Sequence, residues 1–515
     1  MASSAVGNQP ESLYRPKGAL DVLSLPLIGR LLKWRWGRLT LQAPLFIVAL
    51  LLIYDGFTGP DLAARNLATV APWVHYRGIV VVALLLAGNL FCMGCPFTVP
   101  RTLGKRFSLS NRRFPRILRN KWLAILSLFV IFFLYEWLDL WSSPALTAWV
   151  IVAYFVGSFA LEATFGESAF CKYVCPLGTF NFVYSTASPT QITAKNLDVC
   201  KSCVGKECVN GSYSAETVIR LDMIPTMDGG TTEKQVVHSP QRTPGCGLDL
   251  FVPQIKTNLD CTLCLDCVRA CPHDNVALMT RTPGRELLQP DAWRKGWDIS
   301  FLVISLTFLG MLNAFGMIGE VQPVMQDIAR TLRLREIGFN DFMTEGIVLL
   351  ILFVVFGVIV PAMLTLGAAT ITRTLTRTEK KYSLRESVAA FAPAFVPLGF
   401  GIWIAHYGFH FLTGALTIIP VFQNFVLDHR IDLLGQPDWT LSGMSIASVN
   451  VLQVIVMIGT FFWSVMIAQR IALRMYRRDG MMALLPWALL FLAIAYFSVQ
   501  IFGQDMEMRG TLMFQ

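Results

Sequence analysis

Eight of the chain's twelve cysteines fall between positions 200 and 271. Four of them form Cys261-x2-Cys264-x2-Cys267-x3-Cys271-Pro272. In that spacing three closely set thiolates hold one 4Fe–4S cluster and the fourth serves a neighbouring cluster. A looser run, Cys200-x2-Cys203-x4-Cys208, precedes it, and Cys246 stands between the two. Two clusters need eight thiolates, and the segment supplies eight. The two-cluster rule assigns Cys200, Cys203, Cys208 and Cys271 to one cluster, and Cys246, Cys261, Cys264 and Cys267 to the other. A sequential division, with Cys246 completing the first run and Cys271 the second, satisfies the same count. A structural zinc ion competes for the first run. Disulfides are the other use of cysteine, but this is metal-motif spacing. Residues 209–245 are an insertion containing Gly229-Gly230, Thr231-Thr232 and Pro244, the composition of a surface loop.

The other four cysteines form two pairs, each followed by proline: Phe91-Cys92-Met93-Gly94-Cys95-Pro96 and Phe170-Cys171-Lys172-Tyr173-Val174-Cys175-Pro176. Three uses are open to them. They could share a third 4Fe–4S cluster, act as redox or metal-handling thiols, or be small buried hydrophobes. A further group, His406-Tyr407-Gly408-Phe409-His410, puts two imidazoles on one face of a helix. The readings open there are a b-type haem ligand, a quinone or proton site, and an interhelical hydrogen bond. A haem needs a second helix's histidine, and His75 and His429 are expected near the outer boundary. Gly408 and Gly414 leave room for a macrocycle.

The elements that carry these groups are apolar. Of 515 residues, 54% are hydrophobic and 15% charged, where a soluble domain has about 25% charged. Mean hydropathy is +0.53. Runs approaching the ~20 residues needed to cross a bilayer predict about nine spans, near 41–58, 76–94, 121–142, 146–167, 298–318, 343–370, 388–420, 446–470 and 482–503. The first four read as two related hairpins, each ending in a Cys-Pro motif. Pro393, Pro397, Gly399 and Gly401 predict a broken seventh span, a common way to build a cavity at membrane depth. Glu162 and Glu167 are placed at the inner end of span four. Glu136 and Asp139 are placed at the outer interface.

The net charge of +9 points to orientation rather than to nucleic acid. The basic residues gather in short segments: Arg30–Arg38, Arg101–Lys121, Arg373–Arg385 and Arg470–Arg478. With nine spans and the N-terminus inside, every one of these falls on the cytoplasmic face, as the positive-inside rule requires. The cysteine-rich segment falls there too, and the C-terminus lies outside. The expected fold is therefore a mainly α-helical polytopic membrane protein with an inserted cytoplasmic α+β ferredoxin domain. Its parts are a basic N-terminal segment (1–40), a four-helix membrane domain (41–194), the ferredoxin-like domain (195–285) and a five-helix membrane domain (286–515).

Two membrane Cys-Pro motifs followed by a two-cluster segment, over about residues 40–285, resemble the membrane-integral polyferredoxin family typified by NapH, NosR and CcoG. Cys171-x3-Cys175-Pro176-Leu177-Gly178 matches that family's motif, whereas Cys92-x2-Cys95-Pro96 is one residue shorter. With its extra C-terminal spans, the chain is most similar to the FesM group of membrane iron–sulfur proteins. The resemblance implies electron transfer between the quinone pool and periplasmic reductases, or metal reduction. The expected function is an electron-transfer protein of a bacterial-type inner membrane. It would link a soluble carrier or other redox subunits, through 4Fe–4S clusters, to quinone or an outer partner. The expected surroundings are membrane lipid, with no nucleic acid. A redox-driven transporter and a metal-reducing assembly factor are the alternative readings.

Overall fold

In lipid, backbone N–H and C=O groups must be satisfied within their own segment, so long apolar runs become helices. The computed structural model describes residues 19–100, 112–165, 168–212, 243–289, 293 and 296–505, and is mainly helical. Seven helical segments are long and apolar enough to cross a membrane: Gly37–Thr58, Leu67–Ala87, Pro144–Thr164, Trp297–Phe315, Asp341–Leu375, Leu384–Thr413 and Ile446–Phe502. The difference from the nine expected has two causes. Trp122–Trp137 is apolar but has 16 residues, about 24 Å of helix against a hydrocarbon core of about 30 Å. Ile446–Phe502 counts as one segment, yet the short turn Arg477–Asp479 divides it and its two arms pack along each other.

Helix starts follow capping chemistry. The Ser143 hydroxyl accepts from the Leu146 N–H, with Pro144 in the first position. Asn340 caps Asp341–Val354, and Ser445 caps Ile446–Tyr476. Ser383 and Glu386 make a capping box. The second span begins at Leu67, not near residue 76, because Asn66 caps Leu67–Val70 and a π-helical turn, Ala71–Tyr76, carries the helix past Pro72.

The chain forms two compact units. The larger comprises residues 39–191, 256–263 and 281–515. Its centre is the pair Trp297–Phe315 and Leu384–Thr413, whose apolar windows are 83% and 89% buried. The other five long segments are 28–39% buried and turn apolar side chains outward, the surface a bilayer covers. Leu384–Thr413 is broken, as Pro393 predicts, by the short turn Ala392–Ala394. The Leu398 N–H then donates to Ser464 Oγ at 3.0 Å. The glycines that follow the break are closely packed. A Cβ on Gly399 would strike Thr307 and Tyr184, and one on Gly401 would strike Thr460, so neighbouring side chains fill both positions.

The smaller unit comprises residues 1–38, 192–255 and 264–280. Of the basic N-terminal segment, the described residues 19–38 pack within it. Leu20 and Thr280 are hydrogen-bonded, Asp21 bridges Met279, Lys33 pairs with Asp274 at 3.0 Å, and Arg38 pairs with Asp266 at 3.3 Å. Strands Thr190–Ala194 and Val276–Thr280 make a two-stranded sheet. Its register, Lys195 N to Asn275 O at 2.8 Å, brings the start of the first cysteine run to the end of the second. Ser212 and Thr243 exchange both backbone hydrogen bonds, so the two ends of the insertion meet. Residues 213–242 of that expected surface loop lie outside the described residues, as do Arg101, Lys105, Arg106, Glu167 and the C-terminal tail from 506.

Candidate functional site

In the smaller unit, Cys200, Cys203, Cys208 and Cys271 line one cavity together with Glu207, Phe251, Val252, Pro272 and Asn275. The four thiols come from two runs separated by more than fifty residues. Asn275 joins them by donating its Nδ2 to Cys200 Sγ at 3.1 Å and its backbone N–H to Cys271 Sγ at 3.4 Å. Cys203 Sγ donates to Glu207 Oε2 at 3.2 Å. Burial pushes the Cys200 thiol up, against the Asn275 hydrogen bond, and pushes Cys208 up against the Val252 N–H. Cys246 is not among the residues lining this cavity. Its N–H bonds the Cys208 carbonyl at 2.9 Å, and its thiol lies within electrostatic reach of Cys264. Burial, reinforced by Asp266, pushes Cys264 up to about 11. Cys267 is buried in the same unit; Cys261 is buried and belongs to the larger one.

The backbone around these cysteines is strained in a patterned way. Lys206, Asp249, Asp260, Leu263, Leu265 and Asp274 have φ between 43° and 72°, and each lies within three residues of one of the eight cysteines. Left-handed backbone costs a non-glycine residue about 1–2 kcal/mol. Alternating with right-handed residues, it turns successive N–H groups inward to form the concavities that hold anions and iron–sulfur clusters. Among the described residues, no three His, Cys, Asp or Glu side chains could hold a metal ion. A four-iron cube makes a different demand, because each thiolate binds its own iron and the four stand apart.

In the larger unit the two Cys-Pro pairs come together. Cys95 is in electrostatic reach of Cys92, Cys171 and Cys175, and Cys175 of Cys171 and Cys92. The motifs differ by one residue, and the fold absorbs the difference. Gly88, at φ +86°, ends the second span, and Cys92 lies on the separate short helix Leu90–Gly94. Cys171 lies in a π-helical turn, Phe170–Val174, which accommodates one extra residue. Beyond these, Cys95 (φ −58°, ψ 122°) and Cys175 (φ −62°, ψ 113°) share one conformation, and each precedes a proline in the first position of a helical turn. The Cys175 thiol caps the helix Pro176–Tyr184 by accepting from the Gly178 N–H at 3.2 Å. From the same helix, Asn181 Nδ2 donates to Cys92 Sγ at 3.5 Å.

His406 and His410 are buried one turn apart, with ring centroids 5.3 Å from each other. His406 Nε2 lies 3.0 Å from Met317 Sδ. His75 is held by the carbonyls of Val70 and Ala415, and His429 by the Phe425 carbonyl and the Tyr54 hydroxyl. Sequence reading missed the polar group beside this pair. Arg77 falls mid-helix in Leu67–Ala87, and its guanidinium sits 4.3, 4.2 and 5.0 Å from the ring centroids of Trp73, Tyr135 and Tyr407. Glu136, expected at the interface, is buried and accepts from Asn313 Nδ2 at 2.6 Å. The available signal was Arg77 itself, a lone charge inside an apolar run once the span is started at Leu67.

Comparison of the chain with protein-family models, with curated proteins and with solved structures finds no match.

Proposed function

We propose that this chain is a membrane-integral iron–sulfur electron-transfer protein. The observation that carries the reading is the cavity where Cys200, Cys203 and Cys208 meet Cys271 from a distant run. That donor set fits a four-iron cluster: four thiols, a shared hollow, and Asn275 donating to two of the sulfurs. When bound, such a cluster supplies reversible one-electron exchange, and N–H···S bonds tune its potential. Asn275 is therefore placed to tune the potential of a cluster held by Cys200 and Cys271. The second cluster takes Cys246, Cys261, Cys264 and Cys267, the assignment the two-cluster rule makes.

The membrane helices supply the other terminus. His406 and His410, buried in the central helix, are suited to hydrogen-bond a quinone headgroup and exchange its protons. The basic segments orient the protein with the cysteine-rich unit toward the cytoplasm, facing a soluble carrier or partner subunits. On this reading the chain belongs with the polyferredoxin-type membrane proteins it resembles.

The test is cofactor analysis of the purified full-length protein, followed by reduction with a soluble donor in the presence of a quinone. Broad absorbance near 400 nm, at least about eight irons per chain and donor-dependent quinone reduction are expected. Zinc in place of iron, or iron with no electron exchange to quinone or any membrane partner, would overturn the reading. A sharp reduced α-band would reassign the histidine pair to haem.

A further inference from the structure

We infer that Cys92, Cys95, Cys171 and Cys175 hold a third iron–sulfur cluster at the membrane boundary, wired to the ferredoxin run through Cys261. The inference rests on the electron-transfer reading for its role, and on four observations for the site itself.

First, the fold takes two pairs some eighty residues apart and sets Cys95 and Cys175 each within electrostatic reach of the other three thiols. Random burial of small hydrophobes gives no reason for that convergence. Second, both motifs are brought to one backbone conformation at Cys95 and Cys175 despite their unequal lengths, with a π-helical turn taking up the extra residue. Third, the surroundings suit thiolates. Cys175 sits at the positive end of the nine-residue helix Pro176–Tyr184, where the dipole favours negative charge. Asn181 and the Gly178 N–H donate to the sulfurs of Cys92 and Cys175. Phe91, Phe97 and Phe170 pack around Tyr76 and Tyr154 beside the thiols, a shell that keeps water out.

Fourth, the segment carrying Cys261 is bonded to the segments carrying both pairs. Asn89, which precedes the helix bearing Cys92, donates to the Cys261 carbonyl at 3.0 Å. Lys121 is paired with Asp260 and donates to the Lys172 carbonyl, next to Cys171, at 2.8 Å. A single hydrogen bond thus joins a ligand residue of the ferredoxin run to the Cys92 motif. With clusters bound at both sites, one electron would pass from the one held by Cys261, which is oxidised, to the membrane one, which is reduced, with no bond made or broken and no proton required.

The experiment is iron and acid-labile sulfide analysis, with electron paramagnetic resonance, on the full-length protein and on a Cys92→Ser/Cys175→Ser variant. The wild type is expected to hold about twelve irons per chain, and the variant about eight with the two ferredoxin signals intact. A wild type with about eight irons and a variant unchanged would overturn the inference, as would one zinc ion or a pair of disulfides at these cysteines. Asn181→Ala guards against misfolding. It keeps all four thiols, so iron should stay near twelve while the third signal moves to a more negative potential; an unmoved signal would count against the site. A parallel Cys203→Ala variant separates the two readings. If it loses no iron, the proposed function fails, while the subtraction at Cys92 and Cys175 still decides the third site.

Discussion

The thiol cavity of the smaller unit and the thiol quartet of the larger unit each gather four cysteines, but by opposite means. The cavity draws on runs with two to four residues between thiols, and local backbone does the shaping. Left-handed residues such as Lys206 and Asp274 flank its cysteines, and a short antiparallel pairing closes the gap between runs. The quartet has little local shaping beyond one π-helical turn, and depends on helix packing to bring Cys92 and Cys95 to Cys171 and Cys175. The first design tolerates change in the membrane helices. The second makes its chemistry hostage to them.

The sharpest way to break the comparison is to remove one ligand on the cavity side. Cys203→Ala and Cys271→Ala should each cost about four of the bound irons, and the double variant should cost no more than either single one. Iron analysis on the three proteins checks this. Additive loss of about eight irons would place Cys203 and Cys271 on different clusters, which is the sequential division.

Next in size is the network that fixes the Cys261 segment within the larger unit. Arg281 and Glu286 form a buried pair; Glu286 accepts from Thr257 Oγ1 at 2.7 Å and from the Asn258 N–H at 2.9 Å. Asn258 Nδ2 donates in turn to the Ser185 and Thr190 carbonyls. Glu286→Ala leaves the Arg281 charge buried and uncompensated, which costs about 3–5 kcal/mol. A thermal scan should show a lower melting temperature. The four irons of the Cys200 cavity should be retained after the Cys261 cluster is lost, because that cavity is built without this network.

The two sites also differ in how far the sequence revealed them. Spacing alone singled out Cys200, Cys203, Cys208 and Cys271, which line one cavity, because short cysteine runs are local features of the sequence. The apolar runs located the long helices for the same reason, since length and hydropathy are local properties. What stayed hidden was non-local. Nothing in residues 67–87 announces that Arg77 will lie against Tyr135 and Tyr407, or that Glu136 will be buried against Asn313. Residues 20–38 give no hint of joining the smaller unit, since their partners Asp266, Asp274 and Thr280 are more than two hundred residues away. The count of spans parts from the expected nine at the short helix Trp122–Trp137, whereas the turn Arg477–Asp479 divides Ile446–Phe502 into the two arms expected there.

A smaller effect separates wiring from scaffolding. Asn89→Ala removes the hydrogen bond from the Cys92 segment to the Cys261 carbonyl. An unsatisfied buried carbonyl costs about 1–3 kcal/mol, so the protein should fold with full iron content. Electron exchange between the ferredoxin signals and the membrane signal, followed by rapid-freeze resonance spectroscopy, should slow, while exchange between the two ferredoxin signals is unchanged. A purely structural role for Asn89 would lower stability and leave that rate alone.

The smallest effect tests the outer edge of the cavity unit. Asp274, three residues past Cys271, is held below the usual carboxylate range by the Lys195 hydrogen bond at 2.9 Å, with Lys33 adding a second. Its folded value is the lower one. The stabilisation is therefore fully present above the unfolded value near 3.9 and is lost as pH falls through the folded value. The Asp274 side chain is 64% exposed, which limits the pair to less than about 1 kcal/mol. Hydrogen exchange of residues 264–280 should thus be up to about fivefold faster in Lys195→Ala at pH 5. That difference should close as the pH is lowered past the point where Asp274 is protonated in both proteins. A difference persisting in acid would mean that Lys195 acts by packing rather than by charge, and that the rim of the cavity is held as the quartet is, by neighbours rather than by local bonds.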